Sequence, residues 1–405
     1  MSTYRQLFGI PEFRVLFVNR CVVMLSVAAS GLALGTITYE ATGSPVLTAM
    51  AMFGGPLVSL VASQLLLASS DSVRPRTALL WQMAAPMVAN ALQAVPGVPW
   101  QGRFVLLAIP YVVNAMFSGT QWVVVRDVVP EGSYVLARSA LNLAVGGMQV
   151  VGYGLGGLAL LWLSPRDLFL VAAVADAVCL VNLRLGLRDR PARGTGGGSV
   201  VRRTARVNRL LLGSVVTRPL YVAMWVPNGL VVGAEALYVP YGHGSTAGYL
   251  FAAAAAGMML GDLVVGRFVP HHLRDRLIGP LRITLAAPYL LLLLSPPAGV
   301  TVVVAFVASV GYAASLPLQE RLFARTDDAV HGQAMGLYGT GLMVWQAIGA
   351  LLGGLAATRV SPAHAMGLMA LASVAVTVAN TPGLRRSAPD PAAADEVSAS
   401  GSPSS

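Results

Sequence analysis

Acids and arginines set inside apolar sequence are the residues here that could do chemistry. Asp176 stands mid-way along one apolar run and Glu235 toward the end of another. A carboxylate is costly in such surroundings and taking up a proton removes the charge, so each acid is a candidate proton carrier. The alternatives are a hydrogen bond from Asp176 to a neighbouring segment and a solvated place for Glu235 at the end of its segment. Glu235 follows Pro219, Pro227, Asn228 and Gly229, a series that predicts a broken or kinked helix. Arg20 and Arg218 occupy corresponding places 198 residues apart, and Asp262 lies five residues before Arg267. Arg218 and Asp262 are expected to share a depth and to pair, either as a fixed lock or as a pair that breaks when a gate opens.

Bond-making chemistry has little support. His243-Gly244-Ser245 has no third partner, and the adjacent His271 and His272 cannot easily both face one metal. The glycine run at Gly194-Thr195-Gly196-Gly197-Gly198 lacks the Gly-Lys-Ser/Thr ending of a phosphate loop. The reading is of a protein that is not an enzyme and uses no cofactor or metal.

The elements that must hold these residues are membrane spans. The chain is 56% apolar and 11% charged, with mean hydropathy +0.69, against roughly a quarter charged in a soluble domain. A span needs about 20 apolar residues. Twelve are expected, near 15–38, 46–68, 78–96, 103–125, 139–163 and 167–186, then 210–239, 246–267, 279–295, 299–319, 333–358 and 363–381. Residues 187–207 form an arginine-rich linker between the two sets, with 1–186 and 208–386 as the two bundles. Residues 387–405, rich in Ala, Ser and Pro, read as a disordered tail. No cleavable signal peptide is expected, because residues 1–12 are polar and the first apolar run is too long. Cys21 and Cys179 fall within spans, where no disulfide is expected.

All 27 basic residues are arginine. Only Arg103, Arg166 and Arg359 fall on one side of the expected topology, Arg20 and Arg218 lie within spans, and the rest gather on the other side. That asymmetry puts both termini in the cytoplasm and argues against a nucleic-acid partner despite the net charge of +10.

The two halves also repeat. Gly152-Tyr153-Gly154-Leu155-Gly156-Gly157 precedes Ser164-Pro165, and Gly349-Ala350-Leu351-Leu352-Gly353-Gly354 precedes Ser361-Pro362 at the same interval. At the same 197-residue offset Gln149 matches Gln346 and Leu158 matches Leu355. Glycines let helices approach and bend, so Gly152, Gly156, Gly157, Gly349, Gly353 and Gly354 are hinge candidates, with ordinary small-residue packing as the alternative. A duplicated membrane bundle places a transport pathway between its halves.

Over residues 10–385 this arrangement resembles the major facilitator superfamily. Asp71-Ser72-Val73-Arg74-Pro75-Arg76 keeps the outline of its first cytoplasmic-loop motif, with Leu67 and Ser72 at the positions of a glycine and an arginine. The Gly152 block is similar to the Gly-Pro-x-x-Gly-Gly of exporters, with Tyr153 in place of proline. Phe13-Arg14, Thr42-Gly43-Ser44-Pro45 and Asp176-Ala177-Val178-Cys179-Leu180 resemble macrolide- and siderophore-exporting members, whose first-span Asp is replaced here by Ser26-Val27. The resemblance implies an all-α membrane protein of two pseudo-symmetric six-helix bundles, and a gating role for Asp71 and Arg76 beside Arg20, Arg218 and Asp262. It also implies a cavity lined by helices one, four, seven and ten. Those helices offer Thr36, Asn114, Gln121, Trp122, Tyr221, Trp225, Asn228 and Tyr312, aromatics and amides suited to a large amphipathic solute. The resulting expectation is a monomeric plasma-membrane exporter of a small hydrophobic or amphipathic compound, a drug or secondary metabolite, working by proton antiport. An importer or lipid carrier of the same fold, and a non-transporting receptor or scaffold, are the alternatives.

Overall fold

The computed structural model describes residues 4–65, 73–117, 119–130, 133–191, 197–242, 245–327 and 330–387. All regular structure among them is helical. The first half contains α1 (Tyr4–Phe8), α2 (Pro11–Thr42), α3 (Pro45–Phe53), α4 (Gly55–Leu65), α5 (Pro75–Gln93), α6 (Trp100–Met116), α7 (Thr120–Val128), α8 (Tyr134–Ala159) and α9 (Pro165–Gly186). After α10 (Gly197–Gly213) come α11 (Arg218–Glu235), α12 (Tyr238–Gly242), α13 (Ser245–Leu263), α14 (His271–Thr284), α15 (Ala298–Val310), α16 (Ser315–Ala324), α17 (His331–Ala356), α18 (Pro362–Ala379) and α19 (Thr381–Arg386).

Local chemistry explains where these helices start and bend. Three open on Ser-Pro: the Oγ of Ser44, Ser164 and Ser361 each accepts the N–H three residues on, at 3.3 Å, while the proline fills a position that needs no donor. The repeated Ser-Pro pairs are thus helix caps. Gly43, at φ 61°, ends α2 in the left-handed conformation that glycine adopts without strain. Between α3 and α4 the chain bends by 60°, where Pro56 has no N–H to continue the ladder.

Among the described residues eight helices are long and apolar enough to cross a membrane, and counting each of the two bent pairs, α3–α4 and α6–α7, as one span gives ten. The helices α5 and α8 hold the chain positions of the other two among the twelve expected. In the first half α2 packs on α8 and α9, and α5 on α6 and α9; in the second α11 packs on α17 and α18, and α13 on α15. The halves meet along α8 with α13 and along α3 with α17. One core cluster runs across that boundary, joining Leu32, Met52 and Phe53 to Leu230, Tyr238, Phe251 and Tyr289. Large apolar side chains such as Leu185, Leu294 and Trp162 point outward and are about four-fifths exposed. An apolar outside around an all-helical interior is the arrangement a bilayer demands.

Two expectations change. The seventh span was placed at 210–239 and the linker read as loose chain; instead residues 197–213 are helical, and the spanning helix begins afresh at Arg218. The break expected around Pro227 is absent, because α11 runs through Pro227 to Glu235. It falls at 236–237 instead, where Leu237 N–H turns back to Ala234 O at 3.0 Å. Pro240 cannot donate to Ala236, and the helix resumes as α12. Asp71, Gly194, Thr195, Gly196, His243, Gly244 and the tail from 388 onward lie outside the described residues.

Candidate functional site

A cavity lies between the halves, with about 880 Å³ of empty space, part of it open to solvent. Its wall draws on six segments: Phe53 from α3, Gln149 and Tyr153 from α8, Asn228, Val232 and Glu235 from α11, Phe251 to Asp262 along α13, Tyr312 and Ser315 before and at the start of α16, and Tyr338, Leu342 and Gln346 from α17. Both glutamines that match across the repeat face into it.

Glu235 is the buried acid on its wall. It is 7% exposed and closes the last turn of α11, at the break. Tyr312 O–H donates to Glu235 Oε1 at 3.1 Å, and among the described residues no basic side chain contributes to the cavity wall. Nearby, Gln346 Nε2 donates to Asn228 Oδ1 at 3.2 Å, tying α17 to α11. A row of rings crosses from one half to the other: Phe53 to Tyr153 at 5.5 Å, Tyr153 stacked on Phe251 at 5.7 Å, and Phe251 edge-on to Tyr238 at 5.0 Å. Asp262 occupies the other end of the wall, one residue before α13 ends and the backbone passes into a wider π turn over Val264–Phe268.

The glycine blocks frame the cavity. A Cβ built on Gly349 or Gly353 would overlap the carbonyl oxygen of Gly229 or Gly233, so α17 and α11 touch main chain to main chain. On α8, a Cβ on Gly152 would lie 2.7 Å from Ala28 Cβ of α2, whereas one on Gly156 would make an ordinary 3.5 Å contact with Ala29. The last glycine of each block faces the other half. A Cβ on Gly157 would lie 3.0 Å from the Gly248 carbonyl oxygen of α13, and one on Gly354 2.8 Å from Val46 Cα of α3. These crossings, with Tyr39 O–H donating to Pro240 O at 3.5 Å, close the molecule at the end away from the described termini. At the termini-bearing end the Arg138 side chain of α8 reaches to Gly336 of α17.

Several candidates fall elsewhere. Asp176 is fully buried but lies outside the cavity, where Asn90 Nδ2 of α5 donates to its Oδ2 at 2.8 Å and the Ser26 side chain of α2 also hydrogen-bonds the carboxylate. Arg218 and Asp262 form no ion pair: Arg218 is exposed in the first turn of α11 and Asp262 lines the cavity on α13. Arg20 likewise has no acid beside it among the described residues, whereas Arg76 donates to the carbonyl of Arg184 at the end of α9. Of the residues expected on the wall, Asn228 and Tyr312 are there. Asn114 accepts from Gln82 at 3.0 Å, and the Trp122 ring lies under Arg138, 4.7 Å from its guanidinium carbon. Tyr221 is buried with its O–H on Ala334 O at 3.2 Å, and Trp225 donates to Tyr338 O at 2.9 Å. Gln121 and Thr36 are also off the wall, the Thr36 hydroxyl being turned back to Leu32 O at 3.0 Å. The sequence reading missed Gln149, Tyr153 and Gln346 as lining, although the repeat had already marked their helices.

Comparison with known proteins agrees with this architecture. Residues 241–404 match the Major Facilitator Superfamily. No curated protein matches the chain. Among solved structures, a POT family transporter in complex with 5-aminolevulinic acid superposes with TM-score 0.70 at 13% identity, covering 96% of this chain and 98% of its own. A nucleoside transporter gives 0.67 at 10% identity over 92% and 99% of the two chains. A D-xylose-proton symporter gives 0.64 at 12% identity over 91% and 97%. At these identities the likeness establishes the fold alone: an all-helical architecture shared with these solved structures over nearly the whole chain.

Proposed function

We propose that this chain is a secondary-active exporter of a small amphipathic compound, driven by proton antiport and working by alternating access between two six-helix halves. The observation that carries this reading is the cavity itself. It sits between the halves, is walled by aromatics and amides, and holds a buried carboxylate at a helix break. A solute of mixed character fits such a wall, where apolar faces supply area and a few polar groups supply orientation. In this reading α5 and α8 cross the bilayer as the third and fifth of twelve spans, the protein is a plasma-membrane monomer, and both termini are cytoplasmic. The closed end then faces outward, so this conformer has its outer side shut.

Glu235 carries the proton in this scheme. It alone among the two candidate acids lines the cavity, where it can meet both water and cargo. Asp176, packed between α9 and α5 with Asn90 on its carboxylate, serves as a structural hydrogen-bonding group. The hinge positions are the glycines of α8 and α17, where main chain meets main chain and rocking needs no side chain to move aside.

Import is the second reading, favoured by one finding: a solved structure sharing this fold is a D-xylose-proton symporter. One experiment decides between them. Purified protein is reconstituted with a pH-sensitive dye inside, and substrate flux is followed as the pH gradient is reversed. Antiport drives cargo against the proton flow and symport along it. Glu235→Gln should abolish gradient-driven accumulation in either case, while counterflow exchange of cargo survives. Accumulation that ignores the pH gradient and an uncoupler would remove proton coupling altogether.

A further inference from the structure

The cavity wall has a charge character that the transport reading does not require. Glu235 and Asp262 stand on it, and among the described residues neither arginine nor histidine does. The chain contains no lysine that could approach from elsewhere. Among the described residues the neutral hydroxyl of Tyr312 is what meets Glu235 Oε1, so no basic side chain there balances the carboxylate when it is ionised. The stacked pair Tyr153 and Phe251 belongs to the same wall as Glu235, and Phe53 and Tyr312 line it with them. Aromatic faces carry negative potential and attract a cation that has shed its water, more strongly in a desolvated site. A carboxylate within an aromatic wall is therefore complementary to a lipophilic organic cation. It opposes an organic anion twice, by like charge and by the ring faces.

We propose that this cavity binds monovalent lipophilic organic cations, with Glu235 as counter-ion and Tyr153 and Phe251 as the aromatic surface against which the cation packs. Asp262, at the other end of the wall, draws the cation in from the termini-bearing side. The proposal rests on the reading of this cavity as the transport cavity, and it narrows the cargo to one charge type. A metal cation is the poorer fit, because Glu235 and Asp262 lie at opposite ends of the wall and no group of three or more metal-binding side chains gathers among the described residues.

The test uses two ions of nearly the same shape and opposite charge, tetraphenylphosphonium and tetraphenylborate, with the purified full-length protein. Equilibrium dialysis measures the portion of each that an excess of the same unlabelled ion displaces. Displaceable binding of the phosphonium and none of the borate is expected. Glu235→Gln should weaken phosphonium binding at least about tenfold. Tyr153→Leu should weaken it about three- to tenfold, while Tyr153→Phe, which keeps the ring, stays within about twofold. Equal displaceable binding of the two ions overturns the proposal. So does unchanged phosphonium affinity in a monodisperse Glu235→Gln protein, and if that variant does not fold the comparison of the two ions on the unmodified protein still decides. Gradient-driven flux of a neutral amphiphile alongside failed phosphonium binding would sink the cation site and leave the transport reading standing. Phosphonium binding without flux of any cargo would support the site and remove transport.

Discussion

The close crossing of α17 and α11 can be tested against its counterpart in the other half, because the two copies of the glycine block differ in a measurable way. A Cβ on Gly353 would lie 2.8 Å from the carbonyl carbon of Gly233 and 3.1 Å from its Cα, with the carbonyl oxygen closer still. All three are main-chain atoms, so no side chain can swing away and the helices must part. A Cβ on Gly156 would meet Ala29 Cα and Leu32 Cδ2 at 3.5 Å, a normal contact. Replacing glycine by alanine within a helix gains about 1 kcal/mol of helix propensity, and forcing an extra methyl into a filled contact costs about 1–3 kcal/mol, here the upper part of that range, about 2–3 kcal/mol, because only main chain can give way. Gly156→Ala should therefore be neutral or up to about 1 kcal/mol more stable, whereas Gly353→Ala should be about 1–2 kcal/mol less stable. A separation on the order of 4 °C in Tm between the two variants follows, read by fluorescence-detected size exclusion after heating. Flux in proteoliposomes should follow the same order, with Gly353→Leu inactive though inserted. If Gly353→Ala matches the unmodified protein in both Tm and flux, α11 and α17 do not cross as closely as described and the hinge argument fails.

Three other outcomes follow from particular contacts. Asp176→Asn should leave gradient-driven flux intact, whereas Asn90→Leu, which removes one donor from the buried carboxylate, should cost about 1–3 kcal/mol of stability; loss of coupling in Asp176→Asn would show that this acid carries the proton after all. Because Arg218 and Asp262 do not touch, Arg218→Ala and Asp262→Ala should add within about 0.5 kcal/mol in a double-mutant cycle of thermal stability, and a larger coupling would mean that they pair in another conformer. Arg282 is 2% exposed with Nε and Nη2 lacking partners, so Arg282→Met should raise Tm by removing an uncompensated buried polar group; a fall in Tm would indicate a partner that only another state supplies.

The span pattern was readable because hydropathy and length are properties of sequence alone, and the Ser-Pro pairs because capping is local. The glycine repeat was readable as a packing signal, and its partners Gly229, Gly233 and Gly248 became visible only with the helices in place. What failed was facing. In a span that is apolar all round, no periodicity says which side meets cavity, lipid or neighbour, so Trp122, Tyr221 and Trp225 were placed on the wall by position in the chain alone. Tyr221 and Trp225 instead use their polar atoms to bond α17 main chain. Tyr153 was seen as a substitute for proline, not as a ring completing a row through Phe53 and Phe251. Arg218 and Asp262 shared an expected depth, but depth fixes one coordinate of three. The linker helix was missed because its opening glycines read as loop.

The closure at the end away from the termini is made of backbone. Gly157 against Gly248, and Gly354 against Val46, bring main chain within a Cβ's width of main chain. Tyr153, which lines the cavity, sits one helical turn below the first of these crossings. Drift in the lining side chains, whether by selection or by laboratory evolution, can therefore reshape the cavity without disturbing these crossings. Each crossing has a glycine on at least one side, and a side chain added there meets main chain that cannot swing away. Variation is thus channelled into the lining of the cavity and away from the crossings that join the halves.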